Sequence, residues 1–250
     1  MPASGEPEAI VADSTTIRRT PIWGVQSRYL AWIAGGFAAL AILAAYLWLT
    51  WVCSPFVIDD AFISFRYAEN LARGYGLVFN PGERVEGYTN FLWVMLIAAS
   101  NAVGGDSLVT ARVVGVLANL ATLLLVGTAT FRGWLRPVFP GLALLPPILL
   151  AANYGFVLWG IGGLETSLFT LVVTAGLLSL ARASGDSAST GYFYCAGGLF
   201  ALAVLARPDA TVLFAGAVLG WGIWAVAHAR FRGLVVVRLL IGCSIFLGVL

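Results

Sequence analysis

The chain has 250 residues, 60% of them hydrophobic and 10% charged, with a mean hydropathy of +0.92 and a formal net charge of +2. A soluble domain carries about 25% charged residues, so the composition excludes an ordinary soluble protein and predicts an all-α polytopic integral membrane protein whose first partner is the lipid bilayer. All fourteen cationic residues are Arg, and no basic run with interleaved aromatics marks a nucleic-acid binder.

In chain order, residues 1–28 are polar and rich in Pro, Ser, Thr and Arg, and are predicted to form a disordered cytoplasmic tail. Residues 29–250 read as one transmembrane domain. A bilayer core takes about 20 apolar residues per helix. Spans are predicted over 29–52, 107–131, 138–164, 166–181, 191–206 and 210–227. A last apolar run, 234–250, ends with the chain.

The segment 87–105 is uncharged but short, and holds Asn90 and Asn101. If it does not cross, Arg18, Arg19, Arg28, Arg132, Arg136, Arg182, Arg230, Arg232 and Arg238 all fall inside. The positive-inside rule favours that arrangement. The expectation is therefore about seven transmembrane helices and a large first outer loop over 53–106, with 87–105 an interfacial or re-entrant helix. The N-terminus is expected to be cytoplasmic and the site to face outside.

Within that loop, helical periodicity over 60–73 places Ile63, Tyr67 and Leu71 on one stripe and Ser64, Arg66, Asn70 and Arg73 on the other, as on a membrane surface. Gly74 is placed as a C-terminal cap, and Asn80-Pro81-Gly82 as a turn. Cys53, Cys195 and Cys243 have no metal-ligand or redox spacing and are expected to be buried free thiols. The single His228 excludes a His-rich metal site.

Four charged motifs fall on the outer side. Asp59-Asp60 is a candidate catalytic pair, because acids at a membrane boundary are expensive; one Asp would equally serve as a helix N-cap. The stretch 80–90 is a solvated loop or a sugar-binding one, with Glu86, Tyr88 and Asn90 suited to sugar hydroxyls. Glu165, in Gly162-Gly-Leu-Glu-Thr166, has a structural reading too, as a helix-terminal charge, and in Arg207-Pro-Asp209 the Arg binds a phosphate or pairs with Asp209 or Glu165. Together they point to one site.

Carboxylates and an Arg beside lipid suit a lipid-phosphate-linked donor. An Asp takes the proton from an acceptor hydroxyl. Arg207, or a divalent cation held by Asp60 and Glu165, neutralises the departing phosphate. Direct attack would invert the anomeric carbon.

The ordered set resembles a known family. Asp59-Asp60, the run from Arg66 to Glu86 (RYAENLARGYGLVFNPGERVE), Gly163-Leu-Glu-Thr166 and Arg207-Pro-Asp209 are similar to motifs of the GT-C membrane glycosyltransferases. The branch it most resembles is the terminal arabinofuranosyltransferases of actinobacterial cell-wall arabinan and their relatives. The resemblance implies a polyprenyl-phosphate sugar donor, a cell-envelope glycan acceptor and juxtamembrane helices in the first outer loop. It also implies a base drawn from the acidic pair, with Asp59 first and the order within the pair open. Arg66, Glu86, Tyr88, Asn90, Glu165, Arg207 and Asp209 are then expected to bind substrate.

GT-C enzymes usually have eleven or more spans, so the chain reads as an N-terminal portion, with missing helices supplied by a longer chain or a second one. Two other classes stay open: a lipid-linked-sugar transporter or flippase component, and an inactive fragment that scaffolds a partner. A transporter should carry charges at the bilayer midplane; here they lie at the edges.

Overall fold

The computed structural model describes residues 23–132, 143–183 and 191–227. Every regular element among them is helical: α1 (Trp23–Val52), α2 (Ala61–Ala72), α3 (Phe91–Ala102), α4 (Ser107–Arg132), α5 (Leu145–Ala151), α6 (Tyr154–Ile161), α7 (Thr166–Arg182), α8 (Gly191–Ala206) and α9 (Ala210–Ala227). The chain divides into two compact units. Met1–Ala38 holds, in its described part, the start of α1; Ala39–Leu250 carries the packing around the charged motifs.

Two helices are long and apolar enough to cross a bilayer, Ile33–Val52 within α1 and Ser107–Phe131 within α4. A third crossing exists only if α6 and α7, bent by 117° at their junction, count as one broken span. The described residues therefore carry two or three candidate crossings where seven spans were expected. Residues 234–250 lie outside the described residues, as does the tail up to residue 22; α1 begins at Trp23 rather than at residue 29.

The predicted span 138–164 is not one helix. Pro146 and Pro147 occupy the first turn of α5, the only part of a helix where missing N–H groups cost nothing. Asn153 then restarts the chain as the N-cap of α6, its side chain accepting from the Phe156 N–H at 2.9 Å. Segment 87–105 yields α3, whose 12 residues span about 18 Å, well short of a hydrocarbon core of about 30 Å.

The loop 53–106 is an ordered module. Ala61, Phe65, Tyr67 and Ala68 of α2 bury against Trp93, Val94, Ile97 and Ala98 of α3, and this core continues onto Ala111 of α4 and Leu164 and Leu168 near the start of α7. The predicted stripe on α2 is turned from its expected position. Ser64 and Asn70 are buried while Ile63 is exposed. The polar pair faces inward because it ties down chain segments: Asn70 donates to the carbonyls of Val78 and Phe79 at 2.8 and 2.9 Å, and Ser64 bonds Asn90.

Gly74, at φ +84°, ends α2 as expected. Its N–H reaches Leu71 O and the Tyr75 N–H reaches Asn70 O, the paired bonds of a Schellman cap. The Asn80–Glu83 turn closes through the Glu83 N–H and Asn80 O, with Gly82 at φ +94°. Cys53 is partly buried and Cys195 is exposed on α8, so the buried-thiol expectation fails at Cys195; α8 is apolar all round, and one face of it is left uncovered. Cys243 lies outside the described residues.

Close helix contacts depend on glycine. A Cβ on Gly115 of α4 would strike the Gly160 carbonyl oxygen of α6, the small-residue contact typical of membrane helices. Asn119 strengthens the same interface by donating to Phe156 O at 2.7 Å.

The turn between α6 and α7 is tighter still. Gly163 has φ +97°, and a Cβ there would lie 2.8 Å from Ala61 Cβ. Both the left-handed backbone and the packing exclude a side chain. Gly163→Ala is expected to destabilise the protein by about 2–4 kcal/mol, summing the two effects, and to lower its melting temperature in detergent. Gly198→Ala, in open space on α8, is the control and should leave the melting temperature the same or raise it slightly.

Candidate functional site

The helix termini of the module bring the charged motifs into reach of one another. Ile58, just ahead of the acidic pair, donates its N–H to Gly162 O at 3.0 Å. The Trp93 indole N–H donates to Gly163 O at 3.1 Å. The α6–α7 turn is thereby clamped between the entry to α2 and the first turn of α3, and Glu165 follows two residues later as the N-cap residue of α7.

Neither expected capping role is realised. Asp60 occupies the N-cap position of α2 and Glu165 that of α7, yet neither side chain caps its helix. Asp106 shows what a capping Asp does in this chain: its Oδ1 accepts from the Val109 N–H at 2.8 Å in the first turn of α4. Asp59 and Asp60 are exposed, and among the described residues no hydrogen bond or ion pair engages either carboxylate.

Glu165 is buried and turned toward the loop module. Its Oε2 accepts from Asn90 Nδ2 at 2.8 Å, and Oε1 lies 3.9 Å from Arg207 Nη1. Asn90 Nδ2 also donates to Ser64 Oγ at 2.9 Å. Arg207 Nε pairs with Asp209 Oδ1 at 3.2 Å, and the guanidinium lies 5.5 Å from the centre of the Phe169 ring, within cation–π range. A continuous chain Ser64–Asn90–Glu165–Arg207–Asp209 thus joins α2, the start of α3, the α6–α7 turn and the α8–α9 turn.

Four of the predicted binding residues, Asn90, Glu165, Arg207 and Asp209, therefore come together. Asn90 is buried with its amide committed to Ser64 and Glu165, so it is placed to position Glu165 rather than to meet a sugar. Arg66 stands apart from the chain: its Nε donates to Phe79 O at 3.2 Å and it pairs loosely with Glu69, which Arg73 holds at 2.6 Å. Its visible role is to pin the 74–79 segment.

Glu86 is exposed. Tyr88 packs edge-on against Tyr67 with ring centroids 4.9 Å apart. Burial first, then the charge of Glu86 and the neighbouring Tyr67, pushes the Tyr88 phenol above its usual range, so it stays a protonated donor. Among the described residues no group of three or more His, Cys, Asp or Glu side chains is placed to hold a metal ion.

Three functional or organising residues were missed in the sequence. Ser64 gave no signal, since it read as part of the polar side of α2. Trp93 was hidden in an apolar run. Arg112 did carry one, a cation inside a predicted span. It donates to three backbone carbonyls, from Nη2 to Ser54 and Phe56 at 2.8 and 3.2 Å and from Nε to Ile161 at 3.3 Å.

Comparison with known proteins gives one short similarity. Over 65 residues the chain is 38% identical to a terminal β-(1→2)-arabinofuranosyltransferase of Mycobacterium tuberculosis; the matched segment is 26% of this chain and 10% of that protein. No family model matches, and no solved structure does. Over that segment the chain is thus similar to a glycosyltransferase, of whose length it spans about a tenth.

The network makes a stability prediction. Asn90→Ala would leave a buried carboxylate without its amide donor, at a cost of about 1–3 kcal/mol. Ser64→Ala keeps the Asn90–Glu165 bond and should cost less. Thermal unfolding of the two single variants and the double variant would show coupling between them; additive losses would mean that Ser64 and Asn90 act independently.

Proposed function

We propose that the chain is the catalytic part of a membrane glycosyltransferase of the GT-C type. It would move a sugar, a pentose such as arabinofuranose or a hexose, from a polyprenyl-phosphate donor to a cell-envelope glycan on the outer face of the cytoplasmic membrane. One observation carries the reading: two adjacent carboxylates that, among the described residues, cap nothing and pair with nothing stand beside the turn that presents Glu165 to Arg207. The short similarity to an arabinofuranosyltransferase supports the same class of chemistry.

In this reading Asp59 or Asp60 accepts the proton of the acceptor hydroxyl. The hydroxyl oxygen forms its bond to the anomeric carbon as the bond from that carbon to the phosphate oxygen breaks. The electron pair leaves with the lipid phosphate, and the anomeric configuration inverts. Arg207 is half-exposed; Nε pairs with Asp209 and Nη1 lies 3.9 Å from Glu165, so among the described residues Nη2 is the nitrogen left for a donor phosphate. Glu165 holds that guanidinium in place and Asn90 holds Glu165. Glu86 and the Tyr88 phenol, on the segment leading into α3, would bind sugar hydroxyls.

The test is transfer from a radiolabelled polyprenyl-phosphate pentose or hexose to an oligosaccharide acceptor in membranes containing the protein. Asp59→Asn or Asp60→Asn is expected to reduce transfer on the order of 100-fold or more, the usual contribution of a general base, without altering membrane insertion. Transfer that survives both substitutions would remove the pair from the mechanism, and absence of transfer from every such donor would overturn the class.

A further inference from the structure

Arg112 and the groove beside it stand outside the network just described. The groove encloses about 420 Å³ between α1 and α4, and its walls include Leu47, Trp51, Val113, Val116 and Leu117, with Arg112 at one end. Its two walls are the helices long and apolar enough to cross a bilayer. Trp51, Val113 and Leu117 are more than half exposed, so the groove opens sideways, toward where lipid lies around a membrane helix. Trp48 and Trp51, both exposed, mark the same end of α1 as the headgroup level, where Trp concentrates.

Arg112 is a cation without an acid. All three of its hydrogen bonds go to carbonyl oxygens, those of Ser54 and Phe56 in the segment after α1 and that of Ile161 at the end of α6, and among the described residues no carboxylate pairs with it. Neutral carbonyl oxygens orient the guanidinium without neutralising it. Among the described residues Nη1 has no hydrogen-bond partner. A five-donor planar cation in that state is suited to a phosphate.

We infer that this groove binds an anionic glycerophospholipid of the membrane, with one acyl chain between α1 and α4 and the headgroup phosphate on Arg112. The residues of this site are not those of the proposed sugar-transfer site. Along both strands of chain, the groups that hold Arg112, Phe56 and Ile161, precede the Ile58–Gly162 hydrogen bond, whereas Asp59 and Glu165 follow it. That bond and the packing of Ile58 on Gly162 form a seam between them. A phosphodiester with no compensating cation matches Arg112 best, so phosphatidylglycerol should be held more tightly than phosphatidylcholine. The bound lipid would fix the α1–α4 contact from the bilayer side.

The experiment is native mass spectrometry of the full chain released from nanodiscs containing equal phosphatidylglycerol and phosphatidylcholine. The expected result is selective retention of phosphatidylglycerol. Arg112→Gln keeps a donor for the carbonyls but removes the charge, and should lower the preference about fivefold, the factor for one interfacial cation; Arg112→Lys should keep it. Val113→Trp fills the groove from its exposed side and should reduce retention of both lipids while Arg112 stays in place, so it decides the matter even if Arg112→Gln fails to fold. Equal retention of the two lipids, an unchanged preference in Arg112→Gln, or unchanged retention in Val113→Trp would each overturn the proposal. So would displacement of phosphatidylglycerol by an equimolar isoprenyl phosphate, which would make the groove a donor-lipid site instead.

Discussion

The amide N–H of Ile58 and the indole N–H of Trp93 both end on carbonyls of one two-glycine turn, Gly162–Gly163. The arrangement of charged groups depends on that contact. The turn lets α6 and α7 meet at a sharp angle, and its lack of side chains lets Ala61, Phe65 and Ile58 close on it. Both carbonyls would be orphaned at a buried helix junction, where an unmade hydrogen bond costs about 1–3 kcal/mol. Meeting them with donors from the 53–106 module satisfies the turn and fixes the module with the same bonds.

Once the module is docked, the charged side chains have few options. Glu165 cannot turn back to cap α7 and still meet Asn90. Buried, it needs a donor and a countercharge, which Asn90 and Arg207 provide from opposite sides. Arg207 in turn is balanced by Asp209 across Pro208, where α8 stops and α9 begins. The exposed pair Asp59-Asp60 needs none of this support, since water solvates it. The contrast between a held carboxylate and two free ones is what gives the site chemical direction.

Arg112 and Arg207 show two ways to keep a guanidinium at the edge of an apolar bundle. Arg207 is balanced by carboxylates and belongs to the network of the candidate site. Among the described residues Arg112 is held by backbone carbonyls and no acid, beside an apolar groove. The first arrangement favours fixed geometry. The second leaves a cation available to an outside anion.

Much of this was legible in one dimension. Apolar composition, the extents of α4, α7, α8 and α9, the Gly74 cap, the Asn80 turn and the shortness of 87–105 all follow from local periodicity and backbone preference, which depend on near neighbours. The four charged motifs could be picked out because acids and Arg stand out in an apolar chain. The break at Asn153 is not legible: Pro146 and Pro147 start a helix inside an apolar run that reads as one span. The inward face of α2 is not legible for a different reason. Ser64 and Asn70 are buried for the sake of partners 8 to 26 residues away, and polarity alone assigns them to solvent. The sequence by itself determined an all-helical, membrane-suited chain and which residues carry charge at its edges, because those depend on composition and local conformation. Only the tertiary structure decided that Asp60 and Glu165 cap nothing, that Asn90 joins Glu165 across 75 residues, and that among the described residues no acid pairs with Arg112. Each is a question of which distant group arrives, and that is set by how the helices pack.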